Sequence, residues 1–286
     1  MGKARAPDAD QPGRRPFPPY REAGAGRLID SHAHLLHLRE PLNPTLALEE
    51  ASREGIEAVV NIGDDATDNR PGIELTEQIP GLRTTVGRHP HAAGEPISAE
   101  IRRELRQLAA HPNVVAIGEI GLDYHFTDYH RVPKKEQAAT MRQMLALAAE
   151  IDKPVVLHTR DAFEDTFAML DDFAGIRGVF HCFSGNSAMA AEGIARGFYL
   201  SFAATVTYPG AHGVIGAASI IPLERMLVET DSPFLPPQSR RGKPNAPRYL
   251  RETVERIASL RGLASAEVAD ATRQNAIDLF RLPHAG

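Results

Sequence analysis

An apolar pair, Leu28-Ile29, runs into Asp30-Ser31-His32-Ala33-His34, a spacing that can do metal chemistry. Side chains alternate along a strand, so His32 and His34 point to one side and can converge on a single ion. Asp30 shares that phase. Two histidines on a surface strand can also arise by chance, so the pattern gains meaning only if the rest of the chain supplies matching ligands.

Matching groups recur at the ends of short apolar runs. Glu119 sits between glycines in Ala116-Ile117-Gly118-Glu119-Ile120-Gly121-Leu122-Asp123, where neighbouring backbone cannot crowd a ligand, and it is the candidate bridge between two ions. His158 and His181 each close a β-rich run, Val155-Val156-Leu157 and Val179-Phe180. Neutral imidazole is a borderline ligand suited to Zn, Mn or Fe. With Asp231 in Val228-Glu229-Thr230-Asp231-Ser232-Pro233, the inventory reaches four histidines and two carboxylates. That is the ligand set of a two-metal hydrolase, whose ions sit about 3.5–4 Å apart.

Groups so far apart in sequence need a scaffold that gathers them. From residue 27 onward about eight apolar runs alternate with amphipathic helical stretches, among them Lys134 to Ile151, where Ala138, Met141, Met144, Leu145 and Ala148 form one stripe. Strands alternating with helices imply a parallel sheet, and eight repeats imply a (β/α)₈ TIM barrel forming a single domain over residues 27–286. An open doubly wound sheet is the alternative. Polar groups end almost every run: Asp30, His32 and His34, Asn61, His89 and His91, Glu119 and Asp123, His158 and Arg160, His181, Glu229 and Asp231. A barrel turns all of them toward one mouth, whereas an open sheet spreads them along an edge.

Closure also brings the eighth strand beside the first. Asp231 can then ligate the ion held by His32 and His34 and take a proton from its water. Glu229, in the same phase, is expected to make a supporting hydrogen bond or to pair with an arginine. Arg88, Arg160, Arg241 and Lys243 supply cations at the mouth, and the planar arginine fork fits a phosphate. Cys182 should point away from His181, to the other side of its strand. His37, His111, His125, His130, His212 and His284 read as surface or structural residues, while His89 and His91 stay open.

Composition narrows the setting. A net charge of −5 is not that of a protein that coats nucleic acid, so any such contact is local. One cysteine excludes an internal disulfide framework and suits a reducing compartment, with the cytoplasm as the expectation. No apolar run approaches the roughly 18 residues of a membrane helix. Residues 1–26, rich in Pro, Gly, Ala and Arg and carrying +2, read as a disordered leader. No Gly-x-Gly-x-x-Gly or Walker segment is present, so a nucleotide cofactor is not indicated.

The blocks IDSHAHL, VGRHPH, AIGEIGLDY, KPVVLHTRDAFEDT, GVFHCFSG, FYLSFAATVTY, RMLVETDSPFLPP and RGKPNAP together resemble the TatD family of metal-dependent deoxyribonucleases, within the amidohydrolase-like barrels. The resemblance covers most of residues 28–283. It implies that His32, His34 and Asp231 share one divalent ion, that His158 and His181 hold the other, and that Glu119 bridges them. It further implies Asp231 as the base, His91, Arg160 and Arg241 near the phosphate, and hydrolysis of DNA, typically from a free 3′ end and with Mg²⁺ or another divalent ion. The leader has no family counterpart, and the short, proline-containing segment His37 to Pro44 departs from the pattern at an edge that shapes the substrate groove.

The expected chemistry is attack on phosphorus by a metal-activated water, its pKa lowered toward neutrality. A histidine-rich site favours borderline ions over Mg²⁺, which prefers oxygen, so the ion is Mg, Mn or Zn with no choice among them. The competing readings are a metal-dependent hydrolase of another bond, such as an aminoacyl-tRNA ester or a cyclic amide, and a non-enzymatic partner protein that keeps the scaffold.

Overall fold

The computed structural model describes residues 26–126 and 131–283. Of the expected leader only Gly26 falls within that range, and His130 and His284 lie outside it.

Eight parallel strands form one sheet in sequential order: β1 (Leu28–Ala33), β2 (Ile56–Asn61), β3 (Arg83–Val86), β4 (Val114–Asp123), β5 (Val155–Arg160), β6 (Gly178–Phe180), β7 (Tyr199–Phe202) and β8 (Met226–Val228). Helices α1 (Pro44–Arg53), α2 (Ala66–Gln78), α3 (Ala99–Ala109), α4 (Lys134–Glu150), α5 (Phe163–Asp171), α6 (Ser187–Ala195) and α7 (His212–Ile220) lie between successive strands, with two helices, α8 (Leu250–Arg261) and α9 (Ser265–Phe280), after the last. The order matches the expected TIM barrel and excludes the open sheet, whose strand order would reverse at a switch point. Among the described residues no helix is long and apolar enough to cross a membrane.

Local chemistry sets the helix ends. Asn43 caps α1 by accepting from the Leu46 amide, with Pro44 pre-set in the first turn. Asn186 does the same for α6 through the amides of Ala188 and Met189. Gly262, at φ 67°, ends α8 in the left-handed conformation that costs glycine nothing.

The apolar runs serve two cores at once, as strands buried on both faces must. Ile29, Val60, Ala116, Val156, Val179 and Leu227, one from each of six strands, meet inside the barrel with Ile277 and Phe280 of α9. Their neighbours, among them Leu28, Val59, Ile117, Val155, Leu157, Phe180, Met226 and Val228, pack in the layer between sheet and helices.

Closure is made just past β8. The His34 amide donates to the Ser232 carbonyl (2.8 Å) and the Asp231 amide to the His32 carbonyl (3.0 Å), so the seam itself carries the histidine pair and the aspartate. The pairing register shifts at four places, two of them beside the site: between Asp30 and Ala33 in β1, and between Ile117 and Ile120 in β4. Alternation counted from the inward-facing Ile29 and Ala116 would turn His32 and Glu119 outward to the helices. The irregularities re-aim both, as bulges do beside functional sites.

Close backbone approach in this region depends on glycine. Gly121, at φ 151°, lies against β5 where a Cβ would run into the His158 carbonyl, and a Cβ on Gly87 would run into the Gly118–Glu119 backbone. Gly121→Ala should destabilise the fold by about 2–4 kcal/mol in denaturant titration. Gly210→Ala, with open space around the new methyl, should stay within about 0.5 kcal/mol. Equal midpoints for the two variants would mean that the strands can part to admit a side chain.

Candidate metal centre

All six expected ligands meet at the barrel mouth, and all of them but His32 line a cavity of about 840 Å³. His32 and His34 converge as their spacing requires, Nε2 to Nε2 at 3.2 Å. Asp231 Oδ1 lies 3.3 Å from His34 Nε2 and 3.6 Å from His32 Nε2. Glu119, almost fully buried, divides its carboxylate. Its Oε2 faces His32 (3.3 Å) and His34 (3.7 Å), while Oε1 faces His158 Nδ1 (2.7 Å) and His181 Nε2 (2.8 Å). His181 also stacks on His32, with centroids 3.9 Å apart, so the two halves of the site touch.

A second tier of carboxylates fixes which imidazole nitrogen is available. Asp64 stands on Nδ1 of His34 (3.3 Å), Glu229 on Nδ1 of His181 (3.2 Å) and Asp123 on Nε2 of His158 (3.2 Å). Against burial, neighbouring carboxylates raise the pKa of all three rings; when a ring is neutral, the outer carboxylate keeps its proton and the other nitrogen presents a lone pair to the centre, as in carboxylate–histidine–metal arrangements. His89 is built the other way. Its Nδ1 accepts from the His91 amide (3.2 Å), so in the neutral ring the proton sits on Nε2, 3.5 Å from Glu119 Oε1. His89 therefore acts as a donor to Glu119 in this arrangement.

The electrostatics keep the central carboxylates charged. Burial pushes Glu119 upward, but His181 and His89 and the hydrogen bonds from His158 and His181 hold it well below the ordinary glutamate range. Burial likewise raises Asp231, and the His34 hydrogen bond with the charges of His181, His34 and His32 brings it below the usual value. Both stay ionised, with lone pairs to spare.

This donor set fits a divalent ion. Bonds of about 2.0–2.2 Å place neighbouring donor atoms roughly 3.0–3.5 Å apart in tetrahedral or octahedral geometry. The separations of 3.2–3.7 Å around His32, His34, Asp231 and Glu119 Oε2 match that spacing better than they match direct hydrogen bonds.

Several expectations change at this point. Asp30 does not join the histidines: it lies before the register shift in β1, and its carboxylate turns to the segment following β8, accepting from the Thr230 amide (2.9 Å) and hydroxyl (2.6 Å). Full burial raises its pKa to about 7 against those hydrogen bonds. Asn61 is spent on the Leu35 amide and the Thr84 hydroxyl. Cys182 lines the cavity instead of facing away, because β6 stops at Phe180 and Cys182 takes φ 41°. Burial and the charges of Asp231, Glu229 and Glu119 push its thiol well above the ordinary range, so it is no nucleophile. His37, expected as a surface or structural residue, also lines the cavity and is bonded to Asp68 at 2.8 Å. Glu229 makes the supporting hydrogen bonds, to His181 and the Cys182 amide.

The cations divide. Arg160 lines the cavity with its side chain exposed. Arg88 donates to the carbonyls of Ala92 and Glu95 in its own loop (both 3.0 Å). Arg241 lies over the Tyr208 ring, 4.6 Å from its centroid, outside the cavity lining. His91 lines the cavity with its Nε2 on Asp123 at 3.0 Å. Asp64 was missed in the sequence, where the end of β2 offered Asn61 first; the signal was the run Gly63-Asp64-Asp65 just beyond it.

An eight-stranded barrel with histidines and carboxylates gathered at the mouth defines a metal-dependent hydrolase. The family model described as TatD related DNase matches residues 29–281. The chain belongs to this TatD family of metal-dependent hydrolases. It is 37% identical over 257 residues to the uncharacterized metal-dependent hydrolase YabD of Bacillus subtilis, an alignment covering 89% of this chain and 99% of that protein. It is 34% identical over 245 residues to the 3'-5' ssDNA/RNA exonuclease TatD of Erwinia tasmaniensis, covering 82% and 92%. The solved structure of the TatD homologue YJJV of Escherichia coli superposes with a TM-score of 0.81 at 28% identity, covering 91% of this chain and all of that one.

If Asp64 aims His34, Asp64→Ala should weaken divalent-ion binding about 10- to 100-fold in competition with a chromophoric chelator, with the circular dichroism spectrum unchanged. Undiminished affinity would leave His34 oriented by packing alone. Stripping bound ion with a chelator should lower the thermal midpoint, and returning it should restore the loss, because ion binding stabilises only the folded state.

Proposed function

We propose that this chain hydrolyses phosphodiester bonds of DNA, as a 3′-to-5′ exonuclease on single strands with a free 3′ end, using two divalent ions. The observation that carries the two-ion reading is the divided carboxylate of Glu119, one oxygen toward His32 and His34 and the other toward His158 and His181. His32, His34 and Asp231 would hold one ion, His158 and His181 the other, with Glu119 common to both. Such ions, when bound, acidify a water and neutralise charge on the phosphoryl oxygens.

The residues do the rest. Asp231, ionised at the seam between β8 and β1, receives the proton of the attacking water. Arg160, at the end of β5, would present its fork to the phosphate, and His91, bonded to Asp123 at 3.0 Å in the same cavity lining, would stand near it. Arg241, braced on Tyr208, is an outer contact for the strand.

Charge supports a polyanionic substrate that needs metal. The cavity is lined by Asp64, Asp65, Asp68, Glu119, Asp123 and Asp231 against the one arginine, Arg160. A phosphate chain is repelled from that wall until cations occupy it. The exonuclease reading is also what the name of the Erwinia relative says of that protein. A cytoplasmic setting accords with the single cysteine.

The test is degradation of an end-labelled single-stranded oligomer, with its 3′ end free or blocked, by metal-stripped protein titrated with Mg²⁺, Mn²⁺ or Zn²⁺. A ladder should appear only with metal and a free 3′ end, and should vanish in His158→Ala. Asp231→Asn should lower kcat about 10²- to 10⁴-fold while keeping the fold. Metal-loaded protein that leaves every oligomer whole would redirect the assignment to ester or amide substrates.

A further inference from the structure

Three large apolar side chains stand exposed among the described residues: Phe126, Ile220 and Phe234. Of these, Phe234 lines the metal-centre cavity, and it is 48% exposed. Surface phenylalanines are unremarkable singly, but this one is held in place. Its amide donates to the Asp231 carbonyl (2.9 Å), and its carbonyl accepts from Asn245 Nδ2 (2.8 Å). Asn245, fully buried, also donates to the carbonyls of Thr230 (2.7 Å) and, through its amide, Pro233 (2.9 Å). Two residues further on, the Tyr208 hydroxyl ties down the Pro236 carbonyl (2.7 Å).

The loop thus fixes an apolar ring at the rim of a cavity otherwise walled by carboxylates and histidines. The ring meets His34 and His37 at interplanar angles of 75° and 80°, with centroids 5.5 and 6.1 Å away, so its face is stacked on neither. It stands immediately beside a candidate ligand and three residues after Asp231. A ligand that answers this surface carries a strong negative charge for the centre and a flat apolar face close by. A nucleotide is built that way, with its base one sugar from its phosphate.

We propose that Phe234 is a substrate-binding residue on whose ring the nucleobase next to the scissile phosphate stacks, so that this subsite reads the presence of a base and not its identity. Every base offers a π-face, and stacking on an aromatic side chain tolerates sequence. The inference rests on the nuclease reading and adds a subsite to it. Because the stack forms equally in the ground and transition states, its loss raises KM and leaves kcat in place.

The experiment compares wild type, Phe234→Leu and Phe234→Trp on single-stranded oligomers that differ only in the position of one tetrahydrofuran abasic residue. Leucine keeps apolar cover over His34 and removes the π-face; tryptophan restores it. For wild type, one abasic position flanking the cleaved linkage should raise KM about 5- to 150-fold. Phe234→Leu should show that same rise on the intact oligomer, no further rise on the abasic one, and unchanged metal content; Phe234→Trp should recover the wild-type pattern. A Phe234→Leu protein with wild-type KM, or one as sensitive to base removal as wild type, overturns this inference and leaves the nuclease reading standing. Metal-loaded wild type that cuts no oligomer overturns both.

Discussion

The buried charge of Glu119 is the constraint around which this structure is arranged. An ionised carboxylate with almost no solvent contact is expensive unless several partners compensate it. Here the partners come from four strand ends or the loops that follow them: His32 and His34, His89, His158 and His181. A single hairpin or helix could not supply donors from so many directions. A closed ring of parallel strands can, because all C-terminal strand ends face one axis. The same arrangement makes the imidazoles depend on carboxylates behind them, so that Asp64, Asp123 and Glu229 belong to the centre as much as the groups that face it.

The clustering of the expected ligands was legible in the sequence because metal-binding residue types are few and these stood at the ends of apolar runs. His158 and His181 close apolar runs, and their inward direction follows from simple alternation above Val156 and Val179. His32 and Glu119 were legible for a different reason. Their chemistry singled them out, while alternation alone pointed them at the helices. What corrected their direction was a register shift in each strand, and a shift of one pairing position leaves no mark in composition or periodicity. Asp30 shows the other side of that blindness, since it shared the histidines' phase in sequence and yet turned toward Thr230. Cys182 escaped because β6 ends at Phe180 and the backbone turns at Cys182, φ 41°, so the alternation that carries as far as His181 does not extend to it.

Asp64, His37 and Phe234 escaped for a common reason. All three stand in connections after a strand, where no period relates position to direction. Their placement depends on long-range bonds, such as His37 to Asp68 and Asn245 to the loop of Phe234, whose partners lie 31 and 11 residues away. The barrel strands determine where the centre is. The connections determine what surrounds it.

That division bears on how one scaffold can serve different substrates. The centre is rigid, with glycine at Gly87 and Gly121 letting β3, β4 and β5 approach so closely that a side chain would force them apart. Changing it means changing the ring of strands. The rim is cheaper to vary, since Arg160, Arg241, His37 and Phe234 stand in or beside connections rather than inside the ring of strands. A cavity with six carboxylates and one arginine in its lining has little intrinsic affinity for a polyanion. Attraction must then come from bound cations, which any phosphate ester would feel alike. On the proposed reading, discrimination between one phosphate ester and another would therefore fall to the rim, where an exposed aromatic ring and a forked cation would address parts of the substrate that the ions do not touch.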